Sequence, residues 1–251
     1  MGKPLCGLCI DFAKAFDKVP LHFVLCLAER MGMPHNVLRP LRGIYASMTR
    51  HFKIGTLVGE GFQATNGILQ GCPLSVVLLN VLMQIWCTDV TVNAGVKARC
   101  YADDATATST SPRQIEHALR LTEEFARLTG MEVSFKKCET WSTNRRARKI
   151  LRKLTSTCGT AIKHVLQTRL LGAERCFTKQ APGTKHIQKR LDAAMAACAR
   201  IETIPLPRQA RATLVQTTVI PRISYDSCTR KTSNRQQNAW RARTARALWG
   251  G

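Results

Sequence analysis

Acidic residues are scarce in this 251-residue chain: 16 Asp and Glu face 38 Lys and Arg, a formal charge of +22. An excess of this size points to an anionic partner, most often nucleic acid, because Lys and Arg neutralise phosphates and release counterions. Nothing in the first residues given reads as a signal peptide, so none is expected. No apolar run is long enough to span a bilayer: the longest, residues 74–87, is interrupted by Ser75, Asn80 and Gln84. Position 6 is Cys rather than Ser or Thr, which argues against myristoylation of Gly2. An intracellular protein, nuclear or cytoplasmic and away from membranes, is expected. Metal-binding cysteine spacing is also missing. Of eleven cysteines only Cys6 and Cys9 form a CxxC pair, and no second pair follows. Their alternation within an apolar strand marks them as small core residues of a reduced compartment. Internal repeats and low-complexity tracts are absent too.

What is present is enough for a packed core. The chain is 45% apolar and 22% charged, which excludes a disordered tail and suits one large domain or two small ones. Charge is unevenly spread. Residues 1–125 hold 12 basic and 10 acidic side chains, a net of +2, and residues 126–251 hold 26 and 6, a net of +20. The pattern suggests acidic chemistry first and polyanion contact second.

Hydrophobic periodicity predicts a buried strand over 5–11 and helices over 21–31 and 35–49, the latter weakened in its middle by Pro40. A glycine-containing hairpin is expected over 51–66, and an apolar helix from Pro73 to about Cys87. A strand over 96–101, a tight turn at 102–104 and a returning strand over 105–108 follow. A helix starts at Ser111-Pro112 with Ile115, Ala118, Leu119, Thr122, Phe125 and Ala126 on one stripe, and Gly130 ends it. Then come a short strand over 132–135, a basic helix over 144–154, an extended pair over 166–177 turning at Gly172, and helices over 184–203, 207–220 and 234–249 with breaks at Pro205, Pro207 and Pro221. The order is that of an α+β split βαβ sheet with helical elaborations, followed by a mostly helical segment.

The nearly neutral half places carboxylates at strand ends. Asp11 closes an apolar strand and Asp17 follows; Asp103 and Asp104 are adjacent at a hairpin tip. Gathered like charges are unfavourable unless a cation lies between them. Hard oxygen donors of this kind suit Mg²⁺. Taken alone, each Asp also fits an ordinary turn or cap.

Residues 10–19 (IDFAKAFDKV), 65–75 (TNGILQGCPLS) and 101–104 (YADD) together resemble reverse transcriptases of the non-LTR retrotransposon and group II intron type. Segments 130–139 (GMEVSFKKCE), 169–174 (RLLGAE) and 214–225 (LVQTTVIPRISY) fit more loosely. The resemblance implies a polymerase palm over 1–178, an antiparallel sheet with helices on one face, and a partial helical thumb over 179–251. It implies RNA-directed DNA polymerase activity with two Mg²⁺, or Mn²⁺ in their place, held by Asp11, Asp103 and Asp104. Lys137, with Lys136 as rival, would protonate the leaving pyrophosphate. Phe16 would lie under the nucleotide sugar and exclude a 2′-hydroxyl; Asp17 would be structural. Gln70, Gly71 and Tyr101 would contact nucleotide or template. Leu171 and Gly172 would form the primer grip, and RNA template, DNA primer and deoxynucleoside triphosphates would be the partners. Val76 and Leu79 replace a usual Pro and Phe. Relative to the family, the fingers, an N-terminal endonuclease and a zinc knuckle are expected to be missing, which makes the chain N-terminally truncated. The alternative reading is an inactive remnant acting as a basic nucleic-acid-binding protein.

Overall fold

The structure, a computed structural model, describes residues 4–178, 185–225 and 233–249. It divides into two compact units, residues 1–166 and 167–251. The division falls ahead of the expected boundary at 178, because the hairpin at 167–176 groups with the helices that follow it.

The first unit is built on a five-stranded sheet in the order β4-β5-β1-β6-β7. Its strands are β1 (Cys6–Asp11), β4 (Lys97–Tyr101), β5 (Asp104–Ser109), β6 (Glu139–Ser142) and β7 (Lys163–Val165). β1 pairs antiparallel with β5 and β6, β4 with β5, and β7 runs parallel to β6. Side chains alternate across a strand. Cys6, Leu8 and Ile10 therefore face one side with Ala105 and Ala107, and all five are buried. Gly7, Cys9 and Asp11 face the other. Two long helices cover the apolar side: α4 (Pro73–Ala94) and α5 (Pro112–Thr129). α5 buries the predicted stripe, including Thr122, whose hydroxyl accepts the Trp86 indole N–H at 3.0 Å. Gly130 caps it at φ 71°.

The remaining elements of this unit are α1 (Ala15–Lys18), α2 (Leu21–Arg30), α3 (His35–Ser47), the hairpin of β2 (Arg50–Ile54) and β3 (Leu57–Phe62), and α6 (Arg145–Leu151). α3 runs through Pro40. Asn144 caps α6 by accepting the backbone N–H groups of Arg146 and Ala147.

Three expectations need correction here. The strand placed at 132–135 reduces to one bridge between Val133 and Phe12, and the paired strand lies at Glu139–Ser142. α4 passes Cys87 by a further turn and a half or more, ending where Gly95 adopts φ 64°. At 22 residues α4 is long and apolar enough to cross a membrane. Its Leu78, Leu79, Leu82, Met83, Trp86 and Val90 are nonetheless buried in the core of this unit.

The second unit opens with the antiparallel hairpin of β8 (Gln167–Leu170) and β9 (Ala173–Cys176). α7 (Lys185–Thr203), α8 (Arg208–Leu214), α9 (Ile220–Ser224) and α10 (Asn234–Trp249) follow. Ala194, Ala197, Cys198, Ile201, Val215, Val219 and Ala247 form its core. The chain does not break at Pro221. Residues 215–219 widen into a π-turn, in which the Ile220 N–H bonds the Val215 carbonyl five residues back. A proline ring clashes with the carbonyl four residues before it, and a widened turn just upstream relieves that clash.

Candidate active site

Asp11 is the last residue of β1, and Asp104 is its register partner on β5. Directly opposed residues of an antiparallel pair project to the same face, so both carboxylates lie on the side that the helices leave bare. Tyr101 of β4 pairs with Asp104 in turn and is 70% exposed. Ala102 and Asp103 form the two-residue turn between them, with Ala102 at φ 53°. A left-handed residue suits the tight turns that match strand twist.

A cavity of about 360 Å³ opens at this end of the sheet. Asp11, Phe16, Gln70, Gly71, Asp103 and Lys137 line it, together with Phe12, Lys14 and Ala15. Residues far apart in sequence meet here through backbone bonds. The Ile68 N–H donates to the Phe16 carbonyl at 2.8 Å and the Gly67 N–H to the Val19 carbonyl at 2.9 Å. The Ser134 N–H donates to the Asp11 carbonyl at 2.8 Å. These bonds bring the segment carrying Gln70 and the segment carrying Lys137 to the end of β1.

Lys137 places its Nζ 3.4 Å from Asp11 Oδ2. Both side chains are well exposed, so the pair contributes about 1 kcal/mol or less. Lys137, rather than Lys136, reaches the cavity. Gln70 Nε2 donates to Asp17 Oδ1 at 3.3 Å, which gives Asp17 a definite part: it holds Gln70. Phe16 packs partly against the core while one side faces the cavity. Gly71 has φ 90° and no protein atom within 4 Å of where a Cβ would sit. Its backbone conformation, not crowding by the protein, calls for glycine.

Burial pushes the Asp104 carboxyl above the usual carboxylate range, and the charges of Asp103 and Asp11 push it further. Clustered negative charge of this kind is relieved by a cation. Among the described residues, however, no three His, Cys, Asp or Glu side chains converge as a ready metal site. Asp104 does not line the cavity with Asp11 and Asp103. The donors fit Mg²⁺ by type: they are hard oxygens, few in number, with room for water and phosphate oxygens to complete the shell.

Two sets of cations escaped the sequence reading. Lys14 lines the cavity and holds φ 49°, an uncommon backbone for a residue with a side chain. Its carbonyl accepts the N–H groups of Asp17 and Lys18, so the turn itself fixes Lys14 at the rim. Lys97 and Arg99 share the bare face with Tyr101, Thr106 and Thr108 through the β4–β5 register. Both are exposed.

Leu171 and Gly172 lie in the second unit, at the tip of the β8–β9 hairpin, with φ 48° and 78°. The Tyr225 hydroxyl donates to the Leu171 carbonyl, and the Arg190 guanidinium stacks 4.8 Å from the Tyr225 ring centre. A Cβ on Gly172 would meet the Tyr225 hydroxyl at 2.9 Å. The tip is thus fixed by contacts within its own unit.

The family model "reverse transcriptase (RNA-dependent DNA polymerase)" matches residues 1–174. The Pol polyprotein of the type-1 retrotransposable element R2 of Nasonia vitripennis is 24% identical, over 90% of this chain and 23% of its own length. Two telomerase structures share the fold. The Candida albicans enzyme aligns at TM-score 0.50 and 10% identity, over 97% of this chain and 43% of its own. The Candida tropicalis enzyme aligns at TM-score 0.52 and 8% identity, over 99% and 44%. The sheet with helices on one face and the helical unit after it are therefore the palm and thumb of a polymerase fold. The chain spans about a quarter of the retrotransposon polyprotein and under half of the telomerase chains. It belongs to the reverse transcriptase (RNA-dependent DNA polymerase) family, as a domain of the non-LTR retrotransposon type.

Proposed function

We propose that this domain adds deoxynucleotides to a DNA primer 3′-hydroxyl on an RNA template. The observation that carries the reading is the cavity in which Asp11 and Asp103 meet Phe16, Gln70 and Lys137. Mg²⁺, two ions when substrate is bound, would be held by Asp11 and Asp103 with Asp104 completing the acidic set, and supplies electrostatic stabilisation of the attacking and leaving oxygens. Mn²⁺ has the same ligand preference and would serve in its place.

The chain's own residues do the rest. Phe16 presents a rigid ring beneath the sugar and leaves no space for a 2′-hydroxyl. Gln70, steadied by Asp17, offers an amide to the nucleotide or template. Tyr101 carries an exposed ring beside Asp104 for base or sugar contact. Lys137 holds a proton on Nζ for the departing pyrophosphate, and Lys14 offsets the charge of the triphosphate at the same cavity. The Leu171-Gly172 turn, stiffened by Tyr225 and Arg190, contacts the primer.

A second reading, nucleic-acid binding without catalysis, draws on the same acidic residues. They do not converge as a metal site among the described residues. Primer extension on an RNA template with Mg²⁺ separates the two. Wild type incorporates deoxynucleotides, and Asp103→Asn abolishes incorporation while still retarding RNA–DNA duplex in a gel. Failure of the wild type to extend, with salt-sensitive binding intact, establishes the second reading instead.

A further inference from the structure

Cys87 on α4 and Cys100 on β4 bring their sulfurs to 3.3 Å, and both side chains are half-buried, so small reagents reach them. Cys100 sits on the helix-facing side of β4, one residue before Tyr101 and the turn that carries Asp103. Cys87 follows Trp86, a fully buried residue that anchors α4 in the core. Neither residue lines the cavity described above. We propose that Cys87 and Cys100 are an oxidisable pair, converted by peroxide or by a small disulfide such as oxidised glutathione into an intrachain disulfide that ties α4 to β4.

The geometry needs little change. A disulfide brings the sulfurs to roughly 2.0 Å, so closure is a matter of about an ångström, within reach of side-chain rotation. The pair is also set apart from its neighbours. Burial pushes the Cys9 and Cys138 thiols up to about 12 and about 11, which keeps both protonated and unreactive. Cys87 is shifted the other way, because a hydrogen bond with Cys100 favours its thiolate. Cys100 is shifted up by that bond and by burial. Cys158 is exposed and has its thiol lowered by hydrogen bonds with Ser156 and Thr160.

The chemistry closes without an unnamed reactant. The Cys87 thiolate attacks one peroxide oxygen. The O–O bond breaks, the departing hydroxide takes a proton to become water, and Cys87 becomes the sulfenic acid. The Cys100 sulfur then attacks the Cys87 sulfur, the S–S bond forms, the S–O bond breaks, and the sulfenic hydroxyl leaves with the Cys100 proton as a second water. Each sulfur gives up one electron, and the peroxide takes both. With oxidised glutathione, Cys87 first forms the mixed disulfide and releases one glutathione; attack by Cys100 releases the other.

The disulfide is tested on the full reduced chain, treated separately with hydrogen peroxide and with oxidised glutathione. Free thiols are then blocked with N-ethylmaleimide before digestion and mass spectrometry. The expected product is a linked peptide pair holding Cys87 and Cys100, about 2 Da below the sum of the free peptides through loss of two hydrogens. Alkylation at both positions falls about tenfold and returns after dithiothreitol. Cys100→Ser leaves Cys87 as a persistent glutathione adduct. The inference is overturned if Cys87 and Cys100 are recovered as separate alkylated thiols after Cys158 has been consumed, or if Cys87 is linked to another cysteine. The readout is a bond, so it does not depend on whether the domain polymerises.

Discussion

Gly7 and Trp141 test the register on which the site depends. They are direct partners across β1 and β6, and Gly7 also faces Thr108 on β5. A Cβ on Gly7 would sit 2.2 Å from Trp141 Cε2 and 2.3 Å from Cζ2, because the indole lies over the glycine. Ordinary contact begins near 3.4 Å, so the ring would have to retreat by more than an ångström. Trp141 is only 4% exposed and has little space to retreat into. Gly7→Ala therefore overpacks the strand pair, at a cost of about 1–3 kcal/mol. Unfolding temperature falls by about 2–4 °C per kcal/mol for a domain of this size, roughly 2–12 °C in all.

A double-mutant cycle read by circular dichroism makes the argument specific. Trp141→Ala alone costs about 3–5 kcal/mol through its cavity. In that background Gly7→Ala should be neutral, or stabilising by about 0.5–1 kcal/mol, since alanine loses less backbone freedom than glycine. A coupling of about 1–4 kcal/mol is expected between the two sites. Additivity within about 0.5 kcal/mol would refute the contact. It would also refute the placement of Asp11, because a one-residue slip of β1 turns Gly7 and Asp11 onto the helix-covered face.

Three further outcomes follow from contacts at the site and on the sheet. Phe16→Ala should let ribonucleotides be incorporated about tenfold or more better relative to deoxynucleotides; an unchanged preference in single-nucleotide extension would make Phe16 a packing residue only. Lys14→Ala should raise KM for the deoxynucleotide about tenfold with kcat little changed, and Lys14→Arg should restore most of it; a loss confined to kcat would contradict triphosphate contact. Burial, then Arg152 and Arg148, hold the His164 imidazole below its ordinary value of 6.5. The fold therefore favours the neutral ring, and its stability is complete above pH 6.5 and lost as pH falls below that value toward the depressed one. His164→Gln should flatten the fall in unfolding temperature over that window, and equal slopes in both proteins would rule the assignment out.

Much of the fold is legible because its signals are local. The α5 stripe from Ile115 to Ala126 repeats at helical spacing, and every residue of it is buried. Gly130 and Gly95 end helices in the left-handed conformation that glycine adopts at little cost. Where signals depend on tertiary partners they fail. β6 reads Glu-Thr-Trp-Ser, and its Thr140, Trp141 and Ser142 are all buried because both faces are covered, so no alternation marks it. β7 is three residues long and exists by parallel pairing with β6. The far end of α4, Thr-Asp-Val-Thr-Val-Asn-Ala, contains poor helix formers held by packing of Val90 and Ala94. In the site, the three short motifs mark Asp11, Gln70 and Asp103, but the looser segment at 130–139 only ranks Lys137 ahead of Lys136 and does not separate the two. Only the Ser134–Asp11 backbone bond, which brings this loop to the end of β1, and the ion pair with Asp11 do so.

The same logic revises what the uneven charge means. Counted by halves of the sequence, the first 125 residues are nearly neutral and look reserved for the acidic chemistry. Yet Lys14, Lys97 and Arg99 all come from that half, and the fold gathers them at the cavity and on the sheet face that bears Asp11 and Asp104. Helices close the opposite face, so this is the side of the sheet on which a phosphate chain has access to the carboxylates. Carboxylates alone would repel a polyanion there. Cations set among them offset that repulsion while leaving the oxygens available to a divalent ion. A small net charge over residues 1–125 therefore records two opposed sets of side chains placed together, not a stretch indifferent to nucleic acid.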